Sequence, residues 1–458
     1  MKIMTHYKYK LLSCLVAVGF AFSACEKQLD LDPYASVEES KAFQTSADVE
    51  AALVGAYSRV GDDNVLGGDM GVYSELLGND EQIGWSGTYQ GLTQMYNKAI
   101  PVNNDFVEDT WKEAYEAINV CNNVLAAIDK VSEGKRDNVE GQAKFLRGIV
   151  YFEMVRLYAK AWNDGNPAEN DGVPLVLTPT REVSEELKVN RSKVSEVYTQ
   201  IISDLTDAES KMWDKIDNGF YANRTAAAAL LARVYLQKGD YANAADAANR
   251  AIESNENSLM ETYAEAFPVN YDNTNALVAN TDEDIFAMQV TLNTGYNDFN
   301  TFFSLFGRGD IYINPEYYEN YEAADDRLSV FALNNYEYTS KFDMVYGNVH
   351  IIRLAEMYLV RAEANFRAGT AVGAKPLDDI NTIRVRALLE PLTGAQLNLD
   401  AILLERYHEL SFEGHRLHDV KRLEGSVGSF PWNSPKLVLP IPEREIKINP
   451  GLTQNEGY

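Results

Sequence analysis

The chain has 458 residues, of which 46% are hydrophobic and 24% charged, the balance of a globular protein rather than a disordered one. Its 68 acidic residues against 41 basic ones give a formal net charge of −27, which speaks against nucleic acid and against attraction to an anionic membrane surface, since both need a basic footprint. A neutral ligand such as a sugar is compatible with that charge, most of which serves solubility.

Lys2, Lys8 and Lys10 precede an apolar run over 11–24 that ends in Phe22-Ser23-Ala24-Cys25. A basic start, an apolar centre and small residues before a cleavage point make a secretory signal peptide. The run is too short for a membrane-spanning helix, which needs about 20 residues. Phe22 to Cys25 resembles the lipobox of bacterial lipoproteins, with Phe22 where an aliphatic residue is usual. The expectation is a signal peptide over 1–24, acylation of the Cys25 thiol and one domain over 25–458. The membrane is then reached by a lipid anchor only. Of the three cysteines, Cys14 falls in the signal and Cys121 is left alone, so no disulfide framework exists. Cys121 lies in the apolar stretch Ala117-Ile118-Asn119-Val120 and reads as a buried, inert thiol.

Apolar residues at three- and four-residue spacings predict helices over 111–128, 145–162 and 194–212. Residues 225–237 continue the pattern, closed by Lys238-Gly239-Asp240 and followed by a helix over 241–252. That unit resembles a tetratricopeptide repeat, as does the pair 351–368 with 374–387. Between the helices, 61–103 and 258–346 read as long irregular, aromatic-rich segments, with a short strand at 285–290. The predicted fold is mostly α: a tetratricopeptide-like helix-pair scaffold with long irregular loops and a few short strands. An N-terminal part runs over about 25–255 and a C-terminal part over 256–458.

Catalytic signatures are missing. His408-Glu409-Leu410-Ser411-Phe412 lacks the second histidine of a zinc-protease helix, and Gly84-Trp85-Ser86-Gly87 has the wrong spacing for a nucleophile elbow. His408, His415 and His418 share a helical region, and the seven-residue step from 408 to 415 keeps one face. The loop over 164–172 is rich in oxygen ligands but carries Glu169 where an EF-hand needs its turn glycine, so it reads as a turn-rich loop. Arg308-Gly309-Asp310 matches an adhesion tripeptide of a kind that arises by chance. No metal and no cofactor are expected.

Sugars present CH faces that stack on flat rings and hydroxyls that bond to polar side chains. Rings on irregular loops are therefore the candidates. Trp85 is the first, in the polar, glycine-flanked run Gly78-Asn79-Asp80-Glu81-Gln82-Ile83-Gly84-Trp85-Ser86-Gly87-Thr88-Tyr89-Gln90. The glycines would let a ligand approach, and Tyr89 and Asp80 belong to the same run. Tyr296 and Asn297 form the second candidate. Phe302 and Phe303 read as core, and Tyr312, Tyr317 and Tyr318 as weaker contacts.

Several motifs recur in a fixed order. Leu29-Asp30-Leu31-Asp32-Pro33 is followed by Phe43-Gln44-Thr45-Ser46-Ala47-Asp48, Gly55-Ala56-Tyr57, Lys144-Phe145-Leu146-Arg147-Gly148 and Gly172-Val173-Pro174-Leu175. Arg353-Leu354-Ala355-Glu356-Met357-Tyr358 and Glu405-Arg406-Tyr407-His408-Glu409-Leu410-Ser411-Phe412-Glu413-Gly414-His415-Arg416 come late, before Leu439-Pro440-Ile441-Pro442 and Gln454-Asn455-Glu456-Gly457-Tyr458. Together they resemble the SusD/RagB family of outer-membrane lipoproteins along the whole chain. The resemblance implies an α scaffold on the outer face of the outer membrane, paired with a SusC-type TonB-dependent barrel. It would hold an oligosaccharide, or a peptide as in RagB, and would not be an enzyme. Asp80 resembles an acidic position that some members carry. A structural scaffold for surface assembly is the alternative from another class. Glu405, Arg406, Glu409, Glu413 and Arg416 recur at helical spacing, so ion pairs between neighbouring turns and to adjacent helices are expected. The C-terminal motif is expected to pack back onto the fold.

Overall fold

The computed structural model describes residues 43–181, 188–215, 220–269, 280–291, 297–331 and 334–458. The signal segment, Cys25 and Tyr296 lie outside them. Helix α1 (Ser46–Val60) opens on a capping box in which Thr45 and Asp48 satisfy each other's backbone N–H, and buries Val49, Leu53, Ala56 and Val60 at helical spacing. Helices α2 (Asp69–Gly78) and α3 (Gln90–Tyr96) follow. They occupy much of the segment read as irregular, because α2 is buried almost all round and α3 is short, so neither shows an amphipathic stripe.

Helix α4 (Asp105–Ala126) is capped by Asn104, whose side chain accepts from Val107 N at 3.1 Å. Helix α5 (Glu133–Tyr158) is buried almost continuously from Asn138 onward. It stops at Tyr158, short of Trp162. Helices α6 (Val194–Lys211), α7 (Arg224–Lys238) and α8 (Tyr241–Glu253) then stack in turn. Between α7 and α8, Gly239 takes φ +72°, the left-handed conformation that ends a helix and is cheap only for glycine. Ala226, Ala227, Ala229, Ala244, Ala245 and Ala248 are all buried, so small side chains let the paired helices approach.

Strands β1 (Ile83–Trp85) and β3 (Ile311–Ile313) pair antiparallel. Strand β2 (Asp284–Met288) pairs with β4 (Val349–Arg353), and β5 (Ser426–Val427) with β6 (Phe430–Pro431). A short helix α9 (Asp298–Phe303) lies between β2 and β3. β4 takes the first residues of the segment read as helical from 351; the helix proper is α10 (Leu354–Ala368). It pairs with α11 (Pro376–Arg386), and α12 (Leu399–Glu409), α13 (Arg416–Arg422) and α14 (Glu443–Ile448) complete the chain. α1 packs on α4, α4 on α5, and so on through α8 to α10, then α11 and α12. This is the neighbour-on-neighbour stacking of a tetratricopeptide-like scaffold.

The ion pairs expected from 405–416 run to neighbouring elements rather than between turns of one helix. α12 ends at Glu409, and Phe412 (φ +62°) and Gly414 (φ +83°) turn the chain before α13. Glu405, Glu409 and the following Glu413 therefore pair with cations from other elements rather than with Arg406 or Arg416. Glu405 meets Arg327 at 2.6 Å and Arg384 at 3.3 Å. Glu409 meets Arg353 at 3.2 Å and also Arg386. Glu413 meets Arg353 at 2.8 Å and Lys341 at 2.6 Å. These groups are buried, which joins four distant segments in one ionic cluster.

The C-terminal motif packs back as expected. Gln454 exchanges bonds with the backbone of Ile441 at 2.7 and 2.8 Å, and Asn455 Nδ2 donates to Tyr158 O and Leu439 O. Burial pushes the Cys121 thiol up to about 12, in keeping with an inert group. Around 164–172, Lys193 donates to Asp171 and to Glu169 O, so the loop's oxygens serve internal turns.

Candidate ligand-binding site

The β1–β3 ribbon is built by alternation. Ile83, Ile311 and Ile313 point inward and are buried, while Tyr312 stands outward across from Gly84. A Cβ on Gly84 would meet the Tyr312 ring at 2.1 Å, so the glycine makes room for that tyrosine. At Gly87 a Cβ would meet the Trp85 ring at 2.3 Å. The two glycines expected to admit a ligand are thus used by the protein's own rings.

Trp85 is half-buried. Its indole N–H donates to Thr93 Oγ1 on α3 at 2.8 Å, and its ring lies 6.0 Å from Phe302 on α9. Tyr89 is the exposed ring, 42% accessible, edge-on to Phe106 at 5.7 Å and to Phe302 at 6.0 Å. The Arg308 guanidinium sits 4.6 Å from the Tyr89 ring centre. It is held by Asp310 at 2.7 Å and reaches Thr88 Oγ1 at 3.1 Å. Ser86 N donates to Asp310 O at 2.8 Å, which joins the two chain segments behind the surface.

The result is an exposed ring flanked by an oriented cation, a carboxylate and hydroxyls. Arg308 and Asp310 were read in the sequence only as a chance adhesion tripeptide and not as ligand contacts. The signal available was Arg308-Gly309-Asp310 itself, where two residues of opposite charge flank a glycine at φ +60°. Leu305 and Phe306, a few residues before Arg308, are also exposed.

Other expected contacts lie elsewhere. Asn297 is 3% exposed and caps α9, accepting from Phe299 N and Asn300 N while donating to Gly347 O. Its polar groups are committed to the fold, so it is a helix cap rather than a ligand contact. Asp80 is half-buried and accepts from Gly428 N at 2.7 Å, which ties the loop to the β5–β6 hairpin. Tyr317 is buried, its hydroxyl 2.7 Å from that of Tyr321.

A groove of about 300 Å³ runs between Gln82, Ile83, Leu403, Tyr407 and Arg416, at the lower end of small-ligand pockets. His408 stacks on Tyr321 at 3.8 Å, and burial brings it and His415 down to about 3, so both are neutral. Among the described residues no three His, Cys, Asp or Glu side chains form a metal-holding group.

Residues 27–236 match a family described as starch-binding and associating with the outer membrane, and residues 314–437 match the SusD family. SusD-like proteins P2 and P25 of Formosa agariphila are 26% and 25% identical. The alignments cover 94% and 98% of this chain, and 96% and 100% of theirs. Two crystal structures from Bacteroides vulgatus superpose with a TM-score of 0.81 each, at 28% and 26% identity. Each covers 91% of this chain and 99% or more of its own, and the second is a SusD superfamily protein. No helix among the described residues is long and apolar enough to cross a membrane. Matched over these two stretches, this chain belongs to the SusD/RagB family of outer-membrane-associated binding proteins.

Proposed function

We propose that this protein is a lipid-anchored surface protein that captures an oligosaccharide and passes it to a SusC-type TonB-dependent barrel. The observation that carries the binding part is the exposed Tyr89 ring with Arg308 stacked on it and Asp310, Thr88 and Ser86 beside it. A sugar would lay a CH face against Tyr89 and the rim of Trp85 and bond its hydroxyls to these polar groups. The relative from Bacteroides vulgatus at 28% identity is named for sugar binding, which supports the same reading. Cys25 is the proposed acylation point, and several acyl chains anchor far better than one, at about 0.8 kcal/mol per buried CH₂. The protein acts by binding and transfer, not by catalysis.

A glycan array run beside a peptide pool tests the cargo. Glycan hits lost in Tyr89→Ala are the expected result, and peptide hits alone would replace sugar by peptide. Recovery of a large β-barrel with the native protein in mild detergent tests the partner. Cys25→Ala should move the protein from the membrane fraction to the soluble one, and a variant still needing detergent would refute the anchor.

A further inference from the structure

The groove beside Ile83 holds a cation that the fold leaves partly unpaired. Arg406 lines it and is 4% exposed. Its Nε donates to Asp419 Oδ2 at 2.9 Å, and its Nη2 lies 3.9 Å from Glu356 Oε1. Nη1 is buried and, among the described residues, has no acceptor. A charged N–H in that state is costly, because its hydration is lost and nothing replaces it.

The charges around Arg406 point the same way. Asp419 is shared, since Arg422 Nε donates to its other oxygen at 2.7 Å. Arg422 also forks onto Glu363 at 2.7 and 2.9 Å, and Arg367 bonds to that same carboxylate at 2.8 Å. Glu356 belongs to Arg233, at 2.6 and 2.8 Å. The guanidiniums of Arg406, Arg422 and Arg367 thus share only Asp419 and Glu363. Arg416, which also lines the groove, spends its Nε on a neutral carbonyl, Gly78 O at 3.2 Å. Glu75 lines it too, but its Oε1 accepts from Gly414 N and Arg416 N at 2.8 and 3.3 Å, and burial pushes its carboxyl up to about 7. It therefore carries only part of a charge at neutral pH, and the groove has room for one more anion.

Much of the remaining wall is apolar. Leu403, Leu404, Leu410 and Leu423 line it together with the Tyr407 ring. Leu404 is 42% exposed and Asp400 is exposed as well, so this end of the groove opens to water. The volume of about 300 Å³ is that of about ten water molecules, enough for a short organic acid but not for a glycan chain.

We infer that this groove is a second binding site, which takes a small monocarboxylate with an apolar body. The carboxylate bonds to the Arg406 guanidinium, and the body lies among the leucines. The surplus cation sets the ligand's charge, the leucines set the character of its body, and the volume sets its size. The inference is independent of the Tyr89 surface, whose residues do not line this groove.

Ligand-observed NMR on the purified full chain tests this with phenylacetate, isovalerate and hexanoate as probes, each beside its amide. At least one acid should bind, about tenfold tighter than its amide, which has the same shape and no charge. Arg406→Gln should erase that difference. Leu404→Glu places a like charge at the exposed end, where the fold tolerates it. It should weaken the acid about tenfold and leave the amide within about twofold. That variant keeps the test decisive should Arg406→Gln not fold. No binding by any of the acids overturns the inference, as does equal binding of acid and amide, or an acid indifferent to Leu404→Glu. Binding lost in Tyr89→Ala would place the probes on the sugar surface, which overturns it too.

Discussion

Trp85 donates its indole N–H to Thr93 Oγ1 at 2.8 Å, which fixes the ring across the gap between β1 and α3 and over Phe302. A ring held this way supports the surface as much as it faces a ligand. Trp85→Ala should lower the melting temperature and binding together. The expected stability loss is about 2–4 kcal/mol, less than for a fully buried tryptophan because the site is half-exposed. Tyr89→Ala should cost binding about tenfold, or 1.4 kcal/mol, with the melting temperature nearly unchanged. Calorimetry on both variants separates the roles, and a stable Trp85→Ala would remove the structural one.

Arg353 is the hub of the buried ionic cluster, contacting Glu283, Glu409 and Glu413. Arg353→Met leaves these carboxylates short of their shared cation. Uncompensated buried charge of this kind costs about 3–5 kcal/mol. Urea unfolding should show that loss, and Glu409→Gln should show a smaller one, because Glu283 and Glu413 continue to hold Arg353.

Acid should unfold the protein through groups kept from taking up protons. Burial, helped by Arg327 and Arg384, holds His408 at about 3 against a usual value of 6.5. The native state then binds fewer protons than the unfolded one between those values. His408 thus contributes stability above about pH 6.5 that is lost as pH falls toward 3. Glu356 acts in the same direction. Burial raises its carboxyl, but the Arg233 guanidinium bonded to it and the nearby Arg406 outweigh burial and bring it to about 2, so its contribution fades below about pH 4.5. Melting temperature should fall steadily from pH 6.5 downward, and His408→Phe should flatten the upper part of that slope.

The scaffold was legible because its signals are local. Alanine faces, three- and four-residue spacing and Gly239 after Lys238 announce the α7–α8 pair in sequence alone. α2 was hidden because a helix buried all round has no polar face to mark its period. The acids of α12 were legible as a buried set but not their partners, since Arg327, Arg353 and Arg386 come from other elements. At the site, Trp85 and Tyr89 were readable as rings on a loop. Asn297 was misread because a polar residue beside aromatics looks the same whether it caps a helix or meets a ligand. Arg308 was passed over because its role depends on the β1–β3 pairing, a contact across more than 200 residues of chain.

Arg308 gives the sharpest test of the ligand's charge. Its guanidinium is paired with Asp310 at 2.7 Å, so the surface carries an oriented donor with little net charge. Bonds from a charged donor to sugar hydroxyls are worth about 1.5–3 kcal/mol, so Arg308→Ala should weaken binding by about tenfold or more. Arg308→Lys should recover little of it, because an ammonium lacks the planar fork that both stacks on Tyr89 and bonds to Asp310. For a neutral oligosaccharide, raising salt from about 0.05 to about 0.5 M should change affinity by less than about twofold, since no ion pair forms between protein and ligand. A steep loss with salt in the wild type, absent in Arg308→Ala, would instead identify an anionic ligand that displaces Asp310 from the guanidinium.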